Sequence, residues 1–273
     1  MVDSLIQKIA QKLALCGCVQ GVVLGGSRAT GTATESSDID IGIYYRDLQP
    51  DFQKLNEIAK ELDDAHRENL ICREGEWGSW VNCGGWLVVE GYRVDLIFRD
   101  IARVERSVAE TETGRFSCHY QPGHPHAYLD VMYRGELACC KVLLSKGEAF
   151  FTLKQQAEAY PEALRQALIG FFLFEADFSC SLAESYSTDS DRYYLAGQLF
   201  RAVSALNQVL FAVNRVYCLN EKKAVLRIES FFKSPEHYRE RINQIFLIGG
   251  RPAEETVKLL KQLCEEVRQI TED

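Results

Sequence analysis

Two short stretches of the chain set reactive groups at a spacing that can do chemistry. The first is Gly25-Gly26-Ser27-Arg28, and the second, a short loop later, is Asp38-Ile39-Asp40. The run before the glycines, Val19 to Leu24, is short, apolar and rich in β-branched residues, which predicts a buried strand. Gly25 and Gly26 end it in a turn that lets the backbone come close to a ligand, and Ser27 is placed to cap the segment that follows. Backbone N–H groups at such a turn favour anions. Triphosphate oxygens suit that position, with Ser27 adding a hydroxyl donor and Arg28 a charge.

The second stretch predicts a strand from Asp38 to Tyr45. Side chains alternate along a strand, so Asp38 and Asp40 share one face and Ile39, Ile41 and Ile43 the other. Two neighbouring carboxylates repel each other unless a cation sits between them. Magnesium takes hard oxygen ligands and keeps substrate phosphates in its shell. A third carboxylate is available in Gly91 to Phe98, where Val94, Leu96 and Phe98 make an apolar face and Asp95 points away with Arg93. Three carboxylates on adjacent strands can hold two metals, which clamp the attacking and leaving oxygens of an in-line displacement. The chemistry expected of such a site is positioning and charge neutralisation around a nucleoside triphosphate.

Gly25-Gly26-Ser27-Arg28-Ala29-Thr30-Gly31-Thr32-Ala33 followed by Ser37-Asp38-Ile39-Asp40 closely resembles the signature of the DNA polymerase β-like nucleotidyltransferase superfamily. More narrowly, it resembles the branch of small bacterial enzymes that modify aminoglycosides and lincosamides. The resemblance implies that the glycine-serine pair, Gly26 and Ser27, contacts the triphosphate and that Asp38, Asp40 and Asp95 bind two Mg2+ ions. It also implies a co-substrate such as ATP, an α/β (α+β) core with a mixed sheet, and an all-helical C-terminal bundle. The acceptor it implies is a hydroxyl of a small molecule, an aminoglycoside-like antibiotic, which receives AMP as pyrophosphate leaves. Lys222 and Lys223 resemble the lysine that related enzymes bring back to the triphosphate; the alternative is a surface charge run.

Composition agrees with such an enzyme. The chain has 273 residues, 47% of them hydrophobic, and a net charge of −8, which disfavours a nucleic-acid substrate and suits a cationic small molecule. No apolar run reaches membrane-span length, and the first residues lack a signal pattern, so the expected location is the cytoplasm. Ten cysteines show no metal-knuckle or disulfide-scaffold spacing, which predicts free, largely buried thiols.

The periodicities predict helices over 3–15, from Pro50-Asp51 to about His66, and over 101–111, with a hairpin from Trp77 to Phe98 turning at Glu90-Gly91. This divides the chain into a nucleotidyltransferase core, 1–135, and a helical region, 136–273. In the latter, helices are expected over 136–144, 152–160, 161–186, 190–218, 225–248 and 252–270, the last following a turn at Gly249-Gly250. Phe171, Phe172, Phe174 and Phe178 are expected in its core. Phe116 to Tyr133, rich in Pro, Gly and His, predicts a loop. There His124 or His126 either faces substrate, moving a proton, or is satisfied locally; a zinc site lacks the usual spacing. Glu175 and Asp177, in an apolar helix, are either general-base candidates with raised pKa or structural partners of arginines. Asn214 and Tyr217 either support the site or pack. Two other functions share these motifs: transfer of AMP to a protein, and nucleotide binding without transfer.

Overall fold

The computed structural model describes residues 2–46, 50–187, 191–247 and 252–272. The expected Gly249-Gly250 turn lies outside them. The helix α1 (Val2–Leu13) buries Leu5, Ile6, Ile9, Ala10 and Leu13, the i, i+3, i+4 stripe of an amphipathic helix. It is followed by β1 (Val19–Leu24), the short α2 (Gly26–Thr30) and β2 (Ile39–Tyr45). The N-cap of α2 is Gly25, not Ser27, which lies inside the helix; Gly31, at φ +75°, ends it. Next come α3 (Phe52–Leu62), β3 (Cys83–Val89), β4 (Tyr92–Asp100) and α4 (Ile101–Glu112). Asp51 caps α3 by accepting from Lys54 N at 2.9 Å. The helix stops at Leu62, four residues short of the expected end.

Glu90 and Gly91 both have positive φ, as a two-residue hairpin turn demands, and the Asp64 carboxylate accepts both of their N–H groups at 2.8 Å. The expected hairpin forms, but its first strand starts at Cys83; residues 77–82 are turns and irregular backbone. The stretch predicted as a loop instead holds β5 (Cys118–Gln121) and β6 (His124–Leu129), paired as a two-stranded sheet. Pro122-Gly123, with Gly123 at φ +88°, is the tight turn between them.

Then follow α5 (Val131–Cys139), β7 (Lys141–Ser145) and α6 (Glu148–Glu158). The helix expected over 136–144 is therefore wrong in its second half. Lys141–Ser145 pairs antiparallel with β1, whose edge would otherwise carry unpaired backbone groups. This strand lies beyond the expected division at residue 135.

The five strands run in the order β3-β4-β2-β1-β7, with β2 and β4 parallel and the other neighbours antiparallel. It is the mixed sheet expected. One face packs on α1 and α3 through Ile39, Ile41, Ile43, Val94, Leu96 and Phe98. Further along the strands, Val23 and Tyr44 on the other face meet α4, α5 and α6. This unit spans Met1–Glu110, Ser117–Gly123 and Tyr128–Ala159.

The second unit, Thr111–Phe116, His124–Ala127 and Tyr160–Asp273, is helical. Its helices are α7 (Glu162–Ser185), α8 (Arg192–Val213), α9 (Ala224–Ile228), α10 (Tyr238–Ile245) and α11 (Ala253–Glu272). The single helix expected over 225–248 is broken around Pro235, which removes a donor and disfavours helix at the residue before it. Of the aromatic stripe on α7, only Phe172 is core. Phe171, Phe174 and Phe178 share the opposite face and are 49%, 70% and 57% exposed. Leu164, Leu168, Phe172 and Ala176 recur every four residues and take the buried side. All ten cysteines are free, six of them buried.

Asp63 fixes α3 to β3. Its buried carboxylate accepts from Arg67 Nε at 2.9 Å, Arg67 Nη2 at 2.6 Å and Val88 N at 3.0 Å. The Arg67 hydrogen bonds hold this carboxyl far below the usual range, against the opposing effect of burial. A depressed carboxylate pKa stabilises the fold above the unfolded value, near 4, and loses that contribution as pH falls below it. Asp63→Asn should cost about 2 kcal/mol at neutral pH. The difference from the parent should shrink as urea unfolding is repeated at pH values below 4.

Candidate active site

The carboxylates are arranged by strand register. Asp40 on β2 lies directly opposite Asp95 on β4 in the parallel pair. Both point to the face opposite the Ile39, Ile41 and Leu96 core. Gly25 N donates to Asp40 O at 2.8 Å, which continues the β1–β2 pairing one step and sets the glycine turn beside Asp40. Gly26, at φ +55°, sits so close that a Cβ there would lie 1.9 Å from Asp40 Oδ2. Glycine is required twice at this position, for the backbone angle and for the space.

Asp38 precedes the strand rather than opening it. Arg93 Nε lies 2.7 Å from Asp38 Oδ1, off-axis for a hydrogen bond, so this buried oxygen is ion-paired but accepts no hydrogen bond. Arg28 is committed elsewhere than expected of a triphosphate ligand. Its Nε donates to Asp38 O at 3.1 Å and its Nη2 to Ser37 O at 2.6 Å. It holds the loop that delivers Asp38, a role the sequence reading missed although the ten-residue separation allowed it. Burial, then the Asp38 charge, push the Asp95 carboxyl above its ordinary range, against the opposing charge of Arg93.

These features fit a divalent cation. The donors are hard oxygens, one of them, Asp38 Oδ1, buried with only the Arg93 guanidinium beside it, and the Asp38 charge raises the proton affinity of Asp95. Among the described residues, no three acidic, imidazole or thiol groups are gathered closely enough to hold one ion as they stand. Asp38, Asp40 and Asp95 are thus brought to one end and one face of the sheet but not drawn into a closed triad.

Other expected site residues fall in the second unit. His126 Nε2 lies 3.1 Å from Glu175 Oε1, which Arg201 also engages. His124 Nδ1 lies 3.5 Å from Glu221 Oε2. Burial pushes Glu175 up, but the His126 hydrogen bond and the charges of His126 and Arg201 outweigh it and leave its carboxyl below the usual range. That is the reverse of the shift expected of a general base. Asp177 pairs with Arg268. Both acids are therefore partners of arginines. Lys222 and Lys223 are exposed on the turn before α9, with Lys223 at φ +65°. Asn214 binds Leu210 O, Lys233 O and Lys233 N, and Tyr217 is buried against Tyr160, so both pack.

Residues 2–115 match the family described as the nucleotidyltransferase domain. The chain carries a nucleotidyltransferase domain. The glycine turn, Asp38, Asp40 and Asp95 all lie inside the matched segment. The domain's chemistry is nucleotidyl transfer from a nucleoside triphosphate, and nucleotidyltransferases of this kind generally work with a divalent metal. A solved structure, a nucleotidyltransferase-like protein from Exiguobacterium sibiricum 255-15, superimposes with a TM-score of 0.47 at 11% identity, covering 98% of this chain and 75% of that one. No curated protein matches the chain.

Two outcomes follow from this geometry. Gly26→Ala should push the Asp40 carboxylate out of place and lower turnover by about 100-fold or more, read as initial rate. A carboxyl whose folded pKa exceeds its unfolded value costs stability above that pKa, because the folded state then holds a charge it disfavours. Asp95→Asn should therefore raise the Tm of the metal-free protein at neutral pH, read by thermal unfolding beside the parent.

Proposed function

We propose that the protein transfers a nucleoside monophosphate, AMP from ATP, to a hydroxyl of a small molecule and releases pyrophosphate. The observation that carries this reading is the register of Asp40 opposite Asp95, with the Gly25-Gly26 turn packed onto Asp40. It sets an anion-favouring turn and two cation-favouring carboxylates side by side on one sheet face. Asp38, Asp40 and Asp95 are the residues that would hold magnesium, which when bound neutralises the triphosphate and draws electron density from the α-phosphorus.

The chain's own groups do the positioning. Backbone N–H groups around Gly26 and Ser27 orient the outer phosphates. Arg28 keeps the Ser37-Asp38 segment in place, and Arg93 restrains Asp38. In the transfer, the acceptor oxygen forms a bond to the α-phosphorus as the bond to the pyrophosphate oxygen breaks. The leaving electron pair goes with pyrophosphate, and the hydroxyl proton is released to solvent. An aminoglycoside-like acceptor suits the acidic chain, whose net charge of −8 disfavours nucleic acid.

The test is label transfer from α-phosphate-labelled ATP with magnesium, using a host-cell extract supplemented with aminoglycosides and lincosamides. Label should enter a small molecule, and Asp40→Asn should abolish the transfer while circular dichroism shows an intact fold. Retained transfer by a folded Asp40→Asn protein would remove Asp40 from the site. Label in a protein band would replace the small-molecule acceptor with a protein.

A further inference from the structure

The row of carboxylates continues onto the next strand as an exposed indole. Trp86 on β3 is directly opposite Asp95 in the antiparallel β3–β4 pair, as Asp95 is opposite Asp40. Directly opposite residues share a face, with Cβ atoms about 5 Å apart. Across the sheet the order is therefore the glycine-serine turn at the end of β1, Asp40 on β2, Asp95 on β4 and Trp86 on β3. Trp86 is 62% exposed, high for a tryptophan in a strand. It is also fixed: Trp77 stacks on it with ring centroids 4.6 Å apart and planes 27° apart. Trp77 reaches that position because residue 84, on the same face, is glycine; a Cβ there would lie 2.1 Å from the Trp77 ring. The pair also borders an open depression of about 850 Å3 at the sheet edge, which is lined chiefly by α3 and residues 68–76 and not by the carboxylates.

An in-line displacement has direction. If the outer phosphates lie at the glycine-serine turn, the leaving pyrophosphate departs toward β1 and the acceptor oxygen arrives from the opposite side. That side is Asp95 and, one strand further, Trp86. We propose that the Trp86–Trp77 pair is the acceptor subsite and that the acceptor is a glycoside, seated with the carbon-bound hydrogens of one sugar face on the indole. A flat, rigid, half-wet aromatic surface suits a ligand that is apolar on one face and hydroxylated around its rim. The same seating brings a ring hydroxyl to the edge of Asp95. This inference rests on the nucleotidyl-transfer reading above, because that reading supplies the direction of attack.

The experiment measures tryptophan fluorescence of the full chain with magnesium and a non-hydrolysable ATP analogue. Kanamycin, lincomycin and methyl α-glucoside are the titrants, and Trp86→Ala and Trp86→Phe the variants. A saturable change is expected with at least one glycoside, with Kd raised at least tenfold in Trp86→Ala and largely restored in Trp86→Phe. The affinity for the magnesium–nucleotide complex, measured by calorimetry, is expected to stay within twofold in both variants. Three results would overturn the subsite: no glycoside binding by the parent, binding that survives Trp86→Ala unchanged, or a tenfold loss of nucleotide affinity in that variant. The last would make the platform a nucleobase site. Failure of the transfer reading shows differently, as Trp86-dependent glycoside binding by a parent that moves no label from ATP; that result too would overturn the acceptor role.

Discussion

Everything in the first unit depends on bringing like charges together against their repulsion. Asp40 and Asp95 are held in register by the parallel β2–β4 ladder, with Asp38 at its mouth. Left to themselves, such groups move apart or take up protons. Backbone hydrogen bonds along two central strands prevent the first, and an apolar layer of isoleucine, valine, leucine and phenylalanine on the opposite face anchors those strands. The upward shift of the Asp95 carboxyl records the cost that remains, chiefly burial and then the Asp38 charge. Gly26 adds the complementary constraint. Its missing side chain admits the Asp40 carboxylate to a space no other residue would leave.

Around this centre the arginines act as braces rather than as ligands. Arg28 ties the approach to Asp38 through two carbonyls, and Arg93 restrains the Asp38 side chain. At the far end of β4, the buried Arg99 makes paired contacts of 2.6 and 2.8 Å to Glu136 and a third to Val81 O. Arg134, wholly buried, spends its guanidinium on the carbonyls of Val108, Gln156 and Ala159. Such planar, multi-donor groups suit sites where several acceptors converge from different elements. The chain uses them to fasten α4, α5 and α6 to one another and to the sheet.

The centre was legible because its signals are local. Strand alternation put Asp38 and Asp40 on one face, and the two-residue turn at Glu90-Gly91 framed the hairpin that carries Asp95. Counting outward from that turn also places Trp86 opposite Asp95, so the information was present but needed pairing arithmetic rather than motif reading. What failed to show was set by partners distant in sequence. Lys141–Ser145 became a strand because β1 had an open edge, and nothing within the segment reveals that. Pro122-Gly123 reads as a breaker, yet the same dipeptide also makes a tight hairpin turn. On α7 the density of phenylalanines obscured their angular positions, and only Phe172 falls on the buried side. The apolar neighbours of Glu175 in sequence suggest a raised carboxyl, whereas His126 and Arg201 lower it.

The strand β7 carries a consequence for how the protein is made. It closes the sheet beside β1, yet it lies some 120 residues further along the chain and well past the segment that matches the nucleotidyltransferase domain. A ribosome that has released only that matched segment presents β1 with one side bare, a row of unsatisfied amides and carbonyls open to any neighbouring chain. Synthesis must proceed through Ser145 before this edge is covered, and through Ala159 before Arg134 finds its last carbonyl. The nascent chain thus passes through an interval in which Asp38, Asp40 and Asp95 are all present but their scaffold is unfinished.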